Sequence, residues 1–282
     1  MNSKGAATLT KSTLDALFAK FKSFYTFTNT INSKGAATLT KSTLDALFAK
    51  FKSAGITNLI VDLRYNGGGS VATAEYLDSA IAPASAAGKP MYYYKYNDKL
   101  TADLDGTGLE SSVSFPGNTG GLSLKNVFFI TSSHTASASE LTLNNLLPYM
   151  NVKLVGDTTY GKPVGFITFN ISKYDSTHTK QYLADLYAIN FATENANHAG
   201  GYYTGIAPDE PANDYTTIWT RYDNLDKIFN YIYINTGSFA RTSANARVLT
   251  QSTANQRSAI QYSITSPKFN GMVDYRIGNR IH

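Results

Sequence analysis

At 282 residues the chain is long enough for one large hydrophobic core or two small ones, and 43% hydrophobic with 13% aromatic residues is an ordinary composition for a folded globular protein. It has no cysteine, which excludes disulfides and thiolate chemistry without fixing a compartment, and no run of about 18 apolar residues or signal-peptide pattern, so neither a membrane span nor a leader is expected in it. The net charge of +5 is carried entirely by residues 238–282, where Arg241, Arg247, Arg257, Lys268, Arg276 and Arg280 face only Asp274, so no nucleic-acid partner is expected.

The chain opens on an unusual feature. Asn2–Ser23 recurs without a change at Asn32–Ser53, an offset of 30 residues. Solenoid repeats drift and come in threes or more, so this one points to a recent duplication or an artificial one. In the second copy Leu44, Leu47, Phe48 and Phe51 fall at i, i+3, i+4 and i+7, which predicts an amphipathic helix capped by Ser42 or Thr40. The first copy carries the same stripe as Leu14, Leu17, Phe18 and Phe21, and is expected to dock peripherally, compete with its twin or meet another molecule. Between them Phe24–Ile31 alternates like a strand.

Asn58-Leu-Ile-Val-Asp-Leu63 is nearly continuously apolar, as a buried parallel strand should be, and Arg64-Tyr-Asn-Gly-Gly-Gly69 ends it. Three successive glycines allow positive φ and close backbone approach, which suits either a tight strand-to-helix turn or an oxyanion or substrate contact. Asp62 and Arg64 read as a structural pair. A helix over Val71–Ile81 is closed by Pro83, Met91–Tyr96 is a tyrosine-rich strand, and Asp98–Leu124 is a polar insertion or hairpin. Asn126–Ile130 is again strand-like, Leu141–Met150 helical, and Lys153–Val155 a short strand, the β-α-β rhythm of a parallel sheet. Val164–Tyr203 reads as two or three strands, Asp223–Ile234 as a closing helix, and 238–282 as a solvated or loosely ordered extension, with polyanion binding as the other reading.

The chemistry concentrates in two stretches. Thr131-Ser-Ser-His-Thr-Ala-Ser-Ala-Ser-Glu140 forms a strand-to-helix turn, which puts Ser137 where free amides and the helix dipole converge and where an oxyanion would be stabilised. Ser137-Ala-Ser-Glu140 equally fits a capping box that does nothing but close a helix turn. Downstream, Gly156-Asp-Thr-Thr-Tyr-Gly-Lys162-Pro163 imitates a phosphate-binding loop, but Pro163 supplies neither the hydroxyl nor the amide that loop requires, and a strand follows instead of a helix. A serine at a helix start and a lysine on a neighbouring loop suit acyl transfer by a Ser-Lys pair. The lysine is a base only when neutral, so its pKa must fall from about 10.4 toward 7 or 8, a differential cost of roughly 3 to 5 kcal/mol that burial could supply. His134, His178, His198 and His282 are scattered without ligand spacing, so no metal or cofactor is expected, and His134 reads as a neighbour of Ser137 and not its base.

Thr135-Ala-Ser-Ala-Ser-Glu140, with Lys162 25 positions after Ser137, resembles the C-terminal processing (tail-specific) serine peptidases; Asn58–Gly69 and Gly205-Ile-Ala-Pro-Asp209 look like two further signatures in the expected order. The resemblance implies an α/β fold, a β-α-β spiral core of crotonase/ClpP type with a parallel sheet and additional antiparallel strands. It implies Ser137 as nucleophile, Lys162 as general base and Glu140 as a third polar residue orienting the lysine. The backbone amides of Ala138 and Gly68 would form the oxyanion hole, and Gly67 and Gly69 would meet the substrate. The partner implied is a polypeptide, unstructured or recognised at its C-terminus, and the location the cell envelope, periplasm or exterior. Family members often carry a PDZ domain, but no PDZ-sized segment precedes Asn58, which leaves the mode of substrate capture open. The organisation expected is a peripheral segment at 1–31, a catalytic domain at 32–237 and the extension at 238–282. A scaffold that binds peptides without turnover is the alternative, and acyl-CoA chemistry on a related architecture is disfavoured because it gives the Ser-Lys pair no role.

Overall fold

A computed structural model of the chain describes residues 30, 37–212 and 271–274. The first repeat copy, the strand expected over Phe24–Ile31 except Thr30, the helix expected over Asp223–Ile234 and most of the basic extension lie outside the described residues. In chain order the helices are α1 (Leu39–Ser53), α2 (Val71–Ile81), α3 (Asp98–Ala102), α4 (Leu104–Thr107) and α5 (Ala138–Leu146). The strands are β1 (Asn58–Asp62), β2 (Gly68–Ser70), β3 (Pro90–Lys95), β4 (Ser112–Ser114), β5 (Asn126–Thr131), β6 (Asn151–Gly156), β7 (Val164–Tyr174), β8 (Lys180–Asn195), β9 (Glu210–Pro211) and β10 (Gly271–Asp274).

They make a mixed α/β fold with two sheets. One is parallel throughout, in the order β1-β5-β6-β9. All six residues of β5 are buried, because a central parallel strand is covered on both faces, and Asn126-Val-Phe-Phe-Ile-Thr131 is apolar enough to accept that. The other sheet is mixed, in the order β2-β10-β7-β8-β3-β4, with β2, β10 and β7 parallel and the rest antiparallel. Leu59, Val61, Leu77, Ile81, Met91, Phe129, Leu141, Leu143 and Leu154 are among the side chains of the core they enclose. All nine residues of α5 are buried, so this helix is an internal strut that fixes whatever stands at its start.

Several boundaries differ from the sequence reading. The cap of α1 is Thr38, not Ser42 or Thr40; its extended backbone lets Oγ1 accept from Lys41 N–H at 3.4 Å, while Ser42 already lies inside the helix. Helix α5 starts at Ala138 and stops at Leu146, because the small residues before Leu141 are themselves helical. The polar stretch 98–124 folds as α3, α4 and β4. Most consequential, Gly271–Asp274, read as part of a solvated extension, is a fully buried strand between β2 and β7. Its apolar signal is only Met272-Val273, too short to stand out in a polar tail. Among the described residues no helix is long and apolar enough to cross a membrane.

Candidate active site

Strand β5 ends at Thr131, and the turn that follows is bonded to the loops on either side of it. Toward the loop after β1, Thr135 Oγ1 donates to Leu63 O at 2.7 Å, Ser132 Oγ donates to Arg64 O, and Ala136 N–H donates to Asn66 O at 3.1 Å. Toward the loop after β6, Tyr160 N–H donates to Thr135 O at 2.9 Å. Held from both sides, Ser137 takes φ +58° and ψ −111°, a conformation that costs a non-glycine residue about 1 to 3 kcal/mol and persists only where surrounding bonds over-determine it. Its side chain is buried, and Oγ has no hydrogen-bond partner among the described residues. The spacing is that of a capping box, and the Glu140 half is made: Ser137 N–H donates to Glu140 Oε2 at 2.7 Å. The serine faces the Glu140 amide in the reciprocal arrangement, but its hydroxyl closes no bond there.

Glu140 is the hub. Oε2 accepts from the amides of Ser137 at 2.7 Å and Lys162 at 2.8 Å, so those two backbone nitrogens can be no further apart than the two bonds laid end to end. Oε1 accepts from Thr159 Oγ1 at 2.5 Å and Gly161 N–H at 2.7 Å. Burial pushes the Glu140 carboxyl above the usual carboxylate range, and the four donors, led by Thr159, oppose that by favouring the ionised form. Glutamate therefore positions Lys162 by its main chain. The lysine side chain is half-buried, with Nζ 4.7 Å from the centre of the Phe166 ring. Burial brings its pKa down to about 8, against an upward pull from Glu140. The loop carrying it is braced further by Thr159 Oγ1, which accepts from Ile206 N–H at 2.7 Å. Gly205, with φ +92°, lies so close that an added Cβ would stand 2.1 Å from Thr159 O.

The glycine run packs against the serine turn. Gly68 has φ +103°, and an added Cβ would stand 2.8 Å from Ala138 N and 2.9 Å from both Ala136 O and Gly271 O. Gly68 and Ala138 are thus side by side, as an oxyanion hole would need. The two amides differ in state, however. Ala138 N–H, the first of α5, makes no hydrogen bond among the described residues, whereas Gly68 N–H donates to Asn66 Oδ1 at 3.0 Å. Gly69, at φ +121°, pairs with Met272 of β10, and Gly67 is buried. Strand β2 is the last in its sheet, so its other edge carries no strand among the described residues.

Asn66 and Thr159 brace the candidate site and were passed over by sequence reasoning. Asn66 Oδ1 also accepts from Ser139 Oγ at 2.9 Å, locking the glycine loop to α5. Each stood inside a quoted motif, but nothing local distinguishes a turn residue from a brace. Asp62 and Arg64 do pair, with Arg64 Nη2 2.7 Å from Asp62 Oδ2. His134 is exposed, its ring 6.2 Å from that of Tyr65. Asp209 braces β6, accepting from Leu154 N–H at 2.8 Å. Among the described residues no three His, Asp or Glu side chains gather as metal ligands.

Residues 21–212, more than half of the chain, match the model of peptidase family S41. A crystal structure from Bacteroides fragilis assigned to the S41 proteases aligns at 24% identity and a TM-score of 0.55, covering 73% of this chain and 52% of that one. The photosystem II D1 C-terminal processing protease aligns at 17% identity and a TM-score of 0.43 over 67% of this chain and 41% of its own. Mature CPAF aligns at 15% identity and a TM-score of 0.40 over 66% and 45%. The Bacteroides structure shares the fold, and this chain spans about half its length. No curated protein sequence matches.

Proposed function

The chain belongs to peptidase family S41, and from that premise we propose that it is a serine endopeptidase cleaving unstructured or C-terminally recognised polypeptides through Ser137 and Lys162. The observation that carries this reading is the single Glu140 oxygen that holds the amides of both residues. Neutral Lys162 Nζ accepts the proton of Ser137 Oγ as Oγ bonds to the substrate carbonyl carbon. The developing oxyanion is stabilised first by Ala138 N–H; Gly68 N–H joins once it leaves Asn66 Oδ1. The protonated lysine gives its proton to the leaving amine, which departs, and the neutral Lys162 amine so regenerated then takes a proton from water as it attacks and releases the acyl group. The Ser137 hydroxyl makes no hydrogen bond to Lys162 in this structure, and the proposal requires that bond to form when substrate enters, as catalytic contacts often do. An extended peptide would run beside the glycine run next to Gly67 and Gly69. The β-α-β spiral description, the domain bounds 32–237 and an exported location belong to the same proposal, the last on family resemblance alone.

A second reading, a peptide-binding scaffold without turnover, is favoured by the engaged Gly68 amide and the open Ser137 hydroxyl. Incubation with an unfolded protein such as reduced casein separates the two. The wild type should generate fragments while Ser137→Ala and Lys162→Ala lose at least a thousandfold in rate. Equal cleavage by all three removes the dyad, and binding without cleavage by any selects the scaffold.

A further inference from the structure

The exact repeat has a physical consequence for α1. This helix seats on the domain through Phe51, buried in the main core, with Leu47 and Phe48 partly buried against that core; Leu44 is also buried. Its polar side is fixed to α2: Tyr76 OH donates to Asp45 Oδ1, and Lys41 Nζ lies 2.7 Å from Asp45 Oδ2 and 5.1 Å from the centre of the Tyr76 ring. Each of these α1 residues has an identical counterpart 30 positions earlier: Lys11 for Lys41, Leu14 for Leu44, Asp15 for Asp45, Leu17 for Leu47, Phe18 for Phe48 and Phe21 for Phe51. The capping Thr38 is matched by Thr8. A surface that recognises the second copy therefore recognises the first with the same side chains.

We infer that the α1 seat, formed by Tyr76 of α2 and the adjoining core, is an interaction surface with two ligands in one chain, and that residues 8–23 occupy it whenever residues 38–53 are displaced. What separates the two is connection, not contact. From Ser53 to Asn58 the chain needs only residues 54–57, whereas from Ser23 it needs residues 24–57. Lengthening a loop from 4 to 34 residues disfavours closure by about 25-fold on the three-halves-power rule. The second copy also bonds to the linker between the copies, Thr38 N–H to Thr30 O at 3.0 Å, which adds several-fold. The second copy thus holds the seat by about a hundredfold, and the first limits the damage done by any lesion in it.

That limit is testable in the full chain by urea unfolding. Leu14→Ala with Phe21→Ala should leave the folding constant unchanged. Leu44→Ala with Phe51→Ala should lower it by about a hundredfold and no more, although two buried truncations of this size otherwise lower it by well over a thousandfold. All four substitutions together should restore that larger loss or abolish folding. If the second-copy pair alone destabilises the chain as much as all four, or prevents folding by itself, the inference is overturned. A midpoint for the second-copy variant that rises with protein concentration would also overturn it, because the replacement would then come from another molecule.

Discussion

Glu140 shows why a fully buried carboxylate stands next to a half-buried lysine. Its four donors come from two places in the chain, the serine turn and the loop after β6, and Oε2 alone joins one to the other. Glu140→Gln keeps the shape but turns one acceptor into a donor facing existing donors, so it should destabilise by about 2 to 4 kcal/mol. It should also move chemistry. The Glu140 charge pulls the Lys162 pKa up against burial, so removing it lowers that pKa, and the pH midpoint of the residual activity should shift below about 8. A midpoint that stays or rises would show that the carboxylate does not act on the lysine.

At the scale of elements, the position of Ser137 depends on how α5 is wedged against α2. The contact contains Asp78, fully buried, whose Oδ2 accepts from Asn145 Nδ2 at 2.8 Å, while among the described residues Asp78 Oδ1 and Asn145 Oδ1 have no hydrogen-bond partner within bonding geometry. One proton on Asp78 Oδ1, directed at Asn145 Oδ1, would satisfy both in a cyclic acid-amide pair, and burial pushes the Asp78 pKa up to about 8 in agreement with that. The folded state holds this proton to a higher pH than the unfolded chain does, so the group's contribution to stability falls as pH rises from about 4 to about 8. Asp78→Asn should pair with Asn145 at any pH. Urea midpoints should therefore show the variant more stable than the wild type at pH 9 and the difference shrinking by pH 5; a parallel pair of pH curves would refute the assignment. Elements of this kind were legible in the sequence where period and length agreed: α2 occupies Val71–Ile81 as predicted, and β5 overruns its predicted end by one residue. The Asp78–Asn145 contact was not legible, since the two residues are 67 apart and each looks like an ordinary polar helix residue.

For the whole molecule, the two sheets meet at the glycine run, and β10 is the strand that joins β2 to the rest of the mixed sheet. The far C-terminal part of the chain thus supports the site from behind: Gly271 O approaches Gly68, and Asp274 Oδ2 accepts from Tyr94 OH at 2.6 Å. Met272 is completely buried, so Met272→Ala should lower stability by about 2 to 5 kcal/mol and, by loosening β2, reduce kcat more than KM. Unchanged kinetics in a destabilised variant would show that β10 supports the fold without supporting the site. Sequence reading singled out Ser137, Lys162 and Glu140 as the proposed site because their motifs are local. It missed β10 and the Asn66 brace because their value comes from partners distant in sequence.

The claim on which the account rests is that Ser137 is activated by a lysine made neutral by burial. The most direct test is the pH dependence of kcat/KM on an unstructured peptide between pH 5.5 and 9.5, for the wild type and Lys162→Arg. With the Lys162 pKa at about 8, the wild-type rate should climb close to tenfold per pH unit below that value and level off above it, while the arginine variant is inactive throughout. A wild-type profile flat across that range, or an arginine variant that cleaves as well as the wild type, would contradict it.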